Sequence, residues 1–324
     1  MPLNPGDIVN GRYEVNQRLG RGGFGITYTA YDTLRSPLTV VIKQICLITT
    51  DNSSRENNNR RMIIRLLERE TTVFVNKLKH ACIPDFIESF EEDDYYYMTH
   101  EYIEGHDLSH EICSGEPISE LEAVNILRET LVVLQFLHQN HVIHRNIKPT
   151  NIIRRRDNKL VLINFGSFNE IAEYIHSHTT IYDEPTRIYS KGYTAPEQMI
   201  GNPKLNSDIY ALGMVLMQAV TGFSIDDICN PDNTPVIDSR GNYIWQEYAP
   251  QISPKLKRII SKMIEYSCRD RYQTVDEVLS AINEVSLWEE IKQGLINIFT
   301  QHQKLIKFMA FAIAACCLLI LLTK

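Results

Sequence analysis

Residues 144–151 read HRNIKPTN, and residues 164–166 read NFG. Each stretch contains an asparagine whose side chain limits its chemistry, Asn146 in the first and Asn164 in the second. A side-chain amide has no negative charge and cannot act as a base near neutral pH. It is also a poorer ligand for Mg²⁺ than a carboxylate, because magnesium prefers hard anionic oxygen. The two stretches therefore offer neither a base at Asn146 nor a strong metal ligand at Asn164.

Upstream of these stretches, residues 20–25 read GRGGFG and lie between two strand-like segments. Glycines let a turn approach phosphate groups closely and direct backbone N–H groups at them. The strand–turn–strand order disfavours a dinucleotide fold, in which a helix follows the glycines. Lys43 ends the β-branched run that follows, and Glu70 on the next helical segment is placed to pair with it.

The apolar pattern predicts the order of strands and helices. Strands are predicted near 13–15, 39–45 and 95–103, with a turn at 19–25 and a polar loop at 49–60. Helices are predicted over 61–79, 123–138, 207–221, 254–266 and 274–285. The sequence therefore predicts an α+β protein with a small strand-rich lobe and a larger helical lobe, divided near Gly105.

Taken in order, eight motifs resemble those of bacterial, eukaryotic-like Ser/Thr protein kinases over about residues 13–283. They are the glycine turn, VVIK ending at Lys43, Glu70, HRNIKPTN, NFG, GYTAPE at 192–197, SDIYALG at 207–213 and RDRY at 269–272. The resemblance implies a two-lobed protein-kinase fold with an N-lobe at 13–104, a C-lobe at 105–283 and an N-terminal extension at 1–12.

The resemblance also implies a nucleotide cleft and a catalytic centre. The implied nucleotide-binding residues are Leu19, Gly20, Gly22, Gly23, Gly25, Thr27, Lys43, Glu70, Glu101 and Ile103. Lys43 would hold the α- and β-phosphates of ATP and pair with Glu70. Lys148 would contact the transferred phosphate, and Asn151 would bind the second magnesium ion.

Further positions match structural and regulatory roles in the family. Arg145 would receive a phosphate from the activation segment, Glu197 would pair with Arg271, and Asp208 would hold the backbone at 144–146. An apolar spine that aligns the lobes is implied at Phe74, Phe86, His144 and Phe165. Hydroxyls in the activation segment 164–197 could be phosphorylated by another kinase or could be ordinary loop residues.

The departures from the family decide the predicted activity. Asn146 stands at the position of the aspartate that orients the substrate hydroxyl in the family. Loss of that aspartate lowers the rate by about 10²–10⁴-fold. Asn164 stands at the position of the aspartate that holds magnesium, and Ser190-Lys191 replaces the usual Thr-Pro. We expect a pseudokinase that keeps ATP binding, holds Mg²⁺ weakly or not at all, and acts through other kinases or signalling proteins.

Two alternatives to a natural pseudokinase remain at this point. A slow Ser/Thr kinase could use Lys148, Asn151 and a displaced metal ion. The two asparagines could also be engineered, because each is nearly isosteric with aspartate.

Composition and the C-terminal residues bear on location. A net charge of −7 argues against a nucleic-acid binder, which is usually basic. The N-terminal residues lack the basic and apolar regions of a secretory signal. Residues 308–322 read FMAFAIAACCLLILL, which predicts a transmembrane anchor over 305–323 after an amphipathic segment at 284–304. Lys304 and Lys307 precede the span and favour a cytoplasmic domain, whereas the alternative is a buried hydrophobic helix.

Overall fold

Six strands form an antiparallel sheet in the order β1-β2-β3-β4-β6-β5. The strands are β1 (Ile8–Val9), β2 (Tyr13–Gly22), β3 (Gly25–Asp32), β4 (Leu38–Cys46), β5 (Phe86–Glu92) and β6 (Tyr95–Glu101). The predicted extension at 1–12 therefore contributes a strand, since Ile8 pairs with Glu14 and Val9 with Tyr13. The computed structural model describes residues 2–22, 25–35, 38–47, 54–113, 115–165, 190–229 and 243–283, without the side chains of 54–59, 70, 73 and 74.

The two faces of this sheet have different characters. One face packs a buried cluster formed by Val9, Tyr13, Ala30, Val40, Ile42 and Tyr97. Successive side chains of a strand point to opposite faces, so Val41 and Lys43 of β4 face away from that cluster. Lys43 pairs across the sheet with Thr27 and Met98, which therefore share its face.

The sequence prediction of a loop at 49–60 is wrong for its second half. Helix α1 runs over Ser54–Lys77, so the polar residues from Ser54 onward form its first turns. Elongating a helix costs less than starting one, so polar residues can continue a helix that an apolar stripe stabilises elsewhere. Arg60 on this extension also donates to the backbone oxygen of Asp93 at 3.0 Å.

The predicted turn at 19–25 is also shorter in the structure. Cross-strand pairing continues from Gly20 with Thr27 to Gly22 with Gly25, so only residues 23 and 24 lie between the strands. Glycine marks a turn because it tolerates unusual backbone angles, but it also pairs in an ordinary ladder. The glycines therefore form the end of a hairpin rather than a long loop.

The second half of the chain is mainly helical. Its elements are β7 (Gly105–Asp107), α2 (Ser109–Ile112), α3 (Glu120–Gln139), β8 (Ile152–Arg155), β9 (Leu160–Leu162), α4 (Pro196–Met199), α5 (Leu205–Thr221), α6 (Ile225–Ile228) and α7 (Pro254–Met263), followed by helical residues 275–283. Ser119 begins α3 by accepting a hydrogen bond from the Glu122 backbone. The small sheet β7-β8-β9 was not predicted.

Helix α5 is the centre of this lobe, because every residue from Asn206 to Thr221 is buried. Its Gly213 permits close packing of the segment that ends α7, since a Cβ there would lie 2.6 Å from Cγ2 of Ile264. The predicted α+β fold, with a strand-rich lobe before a helical lobe, is confirmed. Residues 2–277 form one compact unit and 278–283 belong to a second.

The predicted C-terminal segments at 284–304 and 305–323 lie outside the described residues. Within the described ranges, no helix combines the length and the apolar character that crossing a bilayer requires. The five cysteines in those ranges, Cys46, Cys82, Cys113, Cys229 and Cys268, are free thiols.

Candidate active site

The glycine hairpin between β2 and β3 is one part of the candidate site. At Gly20 and Gly22 an added Cβ would meet no atom within 4 Å, so the strand surface there is open. Gly25 is different, because its φ is +141° and a Cβ would lie 2.0 Å from the backbone oxygen of Gln44. Leu19 is half-exposed beside these glycines, and Gly23 lies outside the described residues.

We expect Gly25→Ala to destabilise the protein, because it creates a backbone clash at an angle that favours glycine. Strain of this kind costs about 1–3 kcal/mol. Gly20→Ala is the matched control, since its Cβ would enter open space. Urea unfolding of both variants checks this, and an equal loss of stability in the two would contradict the close approach at Gly25.

Lys43 of β4 lies on the sheet face that it shares with Thr27 and Met98. Burial lowers the pKa of Lys43 to about 8. A buried ammonium group with this pKa loses its proton easily and gains most from a nearby anion. The Glu70 side chain lies outside the described part of the structure, so its ion pair with Lys43 stays a prediction.

His100 is a site residue that the sequence analysis missed. It lies two residues after Met98 in β6, so it shares the face of Lys43, and its ring contacts Phe86 at 5.3 Å between centroids. Burial, and then the charge of Lys43, lower the pKa of His100 to about 3, so its imidazole is neutral at physiological pH. Alternation along β6 places His100 on the same face as Met98, but only the register between β4 and β6 brings that face beside Lys43. Glu101 and Ile103 follow, and Glu101 exchanges backbone and side-chain hydrogen bonds with Asp85.

Helix α5 stabilises the loop that carries Asn146. Asp208 accepts hydrogen bonds at 2.8 Å from the backbone N–H groups of His144 and Arg145. It also contacts Nε2 of His138 at 3.0 Å. Arg145 has a φ of +63°, so these bonds stabilise a backbone angle that non-glycine residues rarely adopt.

The ring of His144 joins this loop to the NFG segment. It contacts the ring of Phe165 at 4.5 Å between centroids. Burial lowers the pKa of His144 to about 4, so the ring is neutral and packs against Phe165. Of the predicted spine, this contact is present, whereas the Phe74 side chain lies outside the described part and Phe86 contacts His100 instead.

A chain of amide hydrogen bonds joins the two asparagines. Nδ2 of Asn146 donates to the backbone oxygen of Asn164 at 2.9 Å, and Nδ2 of Asn164 donates to Oδ1 of Asn151 at 3.1 Å. Nδ2 of Asn151 donates in turn to the backbone oxygen of Asn146 at 2.8 Å. The three residues therefore form a closed network, which we call the amide network.

The side chain of Ser190 borders the amide network. Oγ of Ser190 donates to Oδ1 of Asn146 at 3.3 Å. The next residue, Lys191, forms an exposed ion pair with Asp226 at 2.7 Å. Lys148 lies in the loop that carries Asn146, and burial lowers its pKa. The site thus contains cations and amides, and no group of three or more His, Cys, Asp or Glu side chains within the described ranges is arranged to hold a metal ion.

A buried ion pair supports the floor of this lobe. Arg271 donates from Nη1 and Nη2 to the two carboxylate oxygens of Glu197 at 2.7 and 3.0 Å. Ser207 donates to the same carboxylate at 2.6 Å. The guanidinium group also lies 4.5 Å above the ring of Tyr210. The pair therefore joins α4, α5 and the segment after α7.

The chain matches the family model described as protein kinase domain over residues 13–282. The chain belongs to the protein kinase family. The resemblance to bacterial, eukaryotic-like Ser/Thr kinases is also confirmed, because relatives with those names match most of its length.

Two curated relatives illustrate the family match. Serine/threonine-protein kinase B of Synechocystis sp. is 35% identical over 313 residues, which cover 91% of this chain and 52% of that protein. Serine/threonine-protein kinase PknA of Nostoc sp. is 32% identical over 278 residues, covering 85% of this chain and 47% of that protein. This kinase-family chain therefore spans about half the length of the curated relatives it matches.

A solved structure has a similar fold. The chain resembles the structure "PpkA-294 apo form" with a TM-score of 0.66 and 23% sequence identity. The match covers 87% of this chain and 99% of that one. At this identity the likeness shows the fold alone.

Proposed function

We propose that this chain is a membrane-anchored protein-kinase-like protein with absent or very low phosphoryl transfer. It keeps a nucleotide cleft and acts in signalling as a scaffold or an allosteric partner of other kinases. The observation that carries this proposal is the amide network, since Asn146 and Asn164 bring neutral N–H donors to positions where the family uses carboxylates. The network stabilises the local structure but supplies neither a base nor an anionic metal ligand.

The rest of the cleft fits a nucleotide. The hairpin is open at Gly20 and Gly22, where phosphate groups can approach the backbone. Lys43 and Lys148 are the cations that would face phosphate oxygens, and Glu101 to Ile103 would border the base. ATP, when bound, supplies the phosphoryl group that an active kinase transfers.

The charge state of Lys43 gives the first test of this cleft. A bound phosphate favours the ammonium form, so nucleotide binding should weaken as pH rises through about 8. Between pH 7 and pH 9 the charged fraction of a group with this pKa falls about tenfold, and we expect ATP affinity to fall by a similar factor. Calorimetric titration in EDTA at each pH measures this. Lys148 should add to the fall of ATP affinity with rising pH, because burial also lowers its pKa.

Lys43→Arg is the matched variant, because arginine keeps its charge throughout this pH range. The pH dependence of its ATP affinity should be flatter than that of the wild type. Identical pH profiles for wild type and Lys43→Arg would contradict a phosphate contact by Lys43.

The second candidate function is a low-activity, ATP-dependent Ser/Thr protein kinase. Its support is that the relatives are named Ser/Thr kinases and that Lys43, Lys148 and Asn151 are present. Incorporation of radiolabelled phosphate that is abolished by Lys43→Met would favour this candidate. Nucleotide binding without such incorporation would favour the pseudokinase.

The proposal also includes a membrane anchor at residues 305–323. The kinase-like domain at 13–283 would lie on the cytoplasmic side. The apolar run at 308–322 and the preceding Lys304 and Lys307 support it. Fractionation of cells that express the full chain should place it with membranes, and alkaline carbonate should not release it. Replacing Ala314 and Leu318 by arginine should move the protein to the soluble fraction if the segment spans the bilayer.

A further inference from the structure

The hydrogen-bond directions in the amide network are fixed by its backbone acceptors. A carbonyl oxygen accepts only from a donor, so Asn151 must turn its NH₂ group toward the backbone oxygen of Asn146. Its Oδ1 then faces Asn164, which supplies the matching NH₂ group at 3.1 Å. Asn151 is buried, with 3% of its surface exposed, so it has little freedom to turn away.

The same reasoning fixes Asn146. Its Nδ2 faces the backbone oxygen of Asn164 at 2.9 Å, and its Oδ1 accepts from Ser190. Each asparagine side chain therefore directs N–H groups at oxygen atoms of the site. Among these oxygens, Oδ1 of Asn151 belongs to the residue that the family resemblance assigns to a magnesium ion.

The residues do not fit the magnesium ion that the family implies. The network contains no carboxylate, and Oδ1 of Asn151 is already occupied by an N–H donor. Oδ1 of Asn151 has a second lone pair, but a hard cation bound to it would place positive charge beside the amide hydrogens of Asn164.

We infer that the amide network excludes the divalent cation, so that the cleft takes metal-free nucleotide phosphates and Mg²⁺ opposes nucleotide binding. This inference rests on the proposed nucleotide cleft. Magnesium in solution binds the phosphate groups of nucleotides, so the ion competes with the protein for the same ligand. Attraction between Mg²⁺ and the nucleotide grows with the negative charge on the phosphates. The opposition is therefore greatest for a nucleoside triphosphate, smaller for a diphosphate and slight for a monophosphate.

Calorimetric titration of the full chain with ATP, ADP and AMP tests this, in EDTA and again in excess Mg²⁺. We expect Mg²⁺ to weaken ATP binding about tenfold or more, a change of about 1.4 kcal/mol. ADP should be affected less and AMP hardly at all. Tighter or unchanged ATP binding in Mg²⁺ would overturn this inference alone. Failure of all three nucleotides to bind in either buffer would overturn the proposed cleft as well.

Asn164→Asp is the variant that assigns the effect to the amide network. Its carboxylate would face Oδ1 of Asn151 with no hydrogen between two acceptors, and a cation relieves that contact. We expect the sign to reverse, so that Mg²⁺ strengthens ATP binding by this variant. Asn158→Asp adds the same charge in the exposed turn between β8 and β9 and should keep the sign of the wild type.

Two results with these variants test the role of the amide network. Reversal in Asn164→Asp but not in Asn158→Asp supports the inference. Opposition by Mg²⁺ that persists in Asn164→Asp shows that the amide network is not its cause and overturns the inference. The wild-type titration does not depend on the folding of any variant, so it remains decisive if thermal melting shows that Asn164→Asp is unfolded.

Discussion

Replacing Glu197 with alanine is expected to lower the free energy of unfolding by about 3–5 kcal/mol, because it leaves a buried guanidinium group without its partner. The Arg271 side chain has no exposed surface, and the Glu197 side chain is 9% exposed. Arg271 would keep bonds to the backbone oxygens of Glu265 and Tyr266, which do not neutralise its charge. Urea unfolding followed by the fluorescence of the buried Trp245 measures the loss.

Glu104→Ala is the matched control for this prediction. Glu104 pairs with Arg156 at 2.6 Å, but the two side chains are 60% and 79% exposed. Exposed pairs contribute about 0–1 kcal/mol, so this variant should unfold close to the wild type. Equal losses for Glu104→Ala and Glu197→Ala would contradict a special role for the buried pair.

The same pair predicts a pH dependence of stability. Burial alone would raise the pKa of Glu197, but hydrogen bonds from Arg271 and Ser207 hold it below its ordinary value of 4.5. A carboxyl group with a lowered pKa stabilises the folded state above its unfolded pKa and loses that contribution as pH falls through the folded value. The stability difference between wild type and Glu197→Ala should therefore narrow as pH falls below 4.5.

Restoring both carboxylates should produce the largest change in activity. In the double variant Asn146→Asp with Asn164→Asp, a base returns at 146 and an anionic metal ligand at 164. Recovering a positioned base is worth about 10²–10⁴-fold in rate. We expect phosphate incorporation from radiolabelled ATP, in Mg²⁺, to rise by at least this order above the wild type. The assay follows both labelling of the chain itself and labelling of casein.

Single reversions should recover much less than the double variant. Asn146→Asp alone would turn a carboxylate toward the backbone oxygen of Asn164, where the amide now donates. Groups that act as a unit have strongly non-additive effects on rate. Lys43→Met in the double-variant background should abolish the gain. A folded, nucleotide-binding double variant that stays silent would show that other departures, such as Ser190-Lys191, also block transfer.

The fold was largely predictable because its helices carry strong local signals. Helix α3 has a regular apolar stripe and a serine at its start, and α5 is mostly apolar after Asp208. The first turns of α1 gave no such signal, because polar residues do not reveal a helix that is stabilised further along. The small sheet β7-β8-β9 was missed, since strands of three or four residues are too short to show alternation.

The candidate site was predictable as a set of residues but not as a geometry. Motif spacing identified Asn146, Asn151 and Asn164, yet the direction of each amide depends on backbone oxygens that only the folded loops bring together. Ser190 joins the network from 44 residues along the chain. His100 was missed because its place beside Lys43 follows from the strand register between β4 and β6.

A single-turnover experiment tests the central claim most directly. The wild-type chain, in excess over radiolabelled ATP and at a concentration that binds most of it, is incubated with and without Mg²⁺. The fates of the label as bound ATP, free phosphate and phosphoprotein are then followed. A pseudokinase with a nucleotide cleft predicts bound ATP and no conversion beyond that of Lys43→Met. Conversion of the bound ATP to phosphoprotein by the wild type, abolished in Lys43→Met, would contradict it.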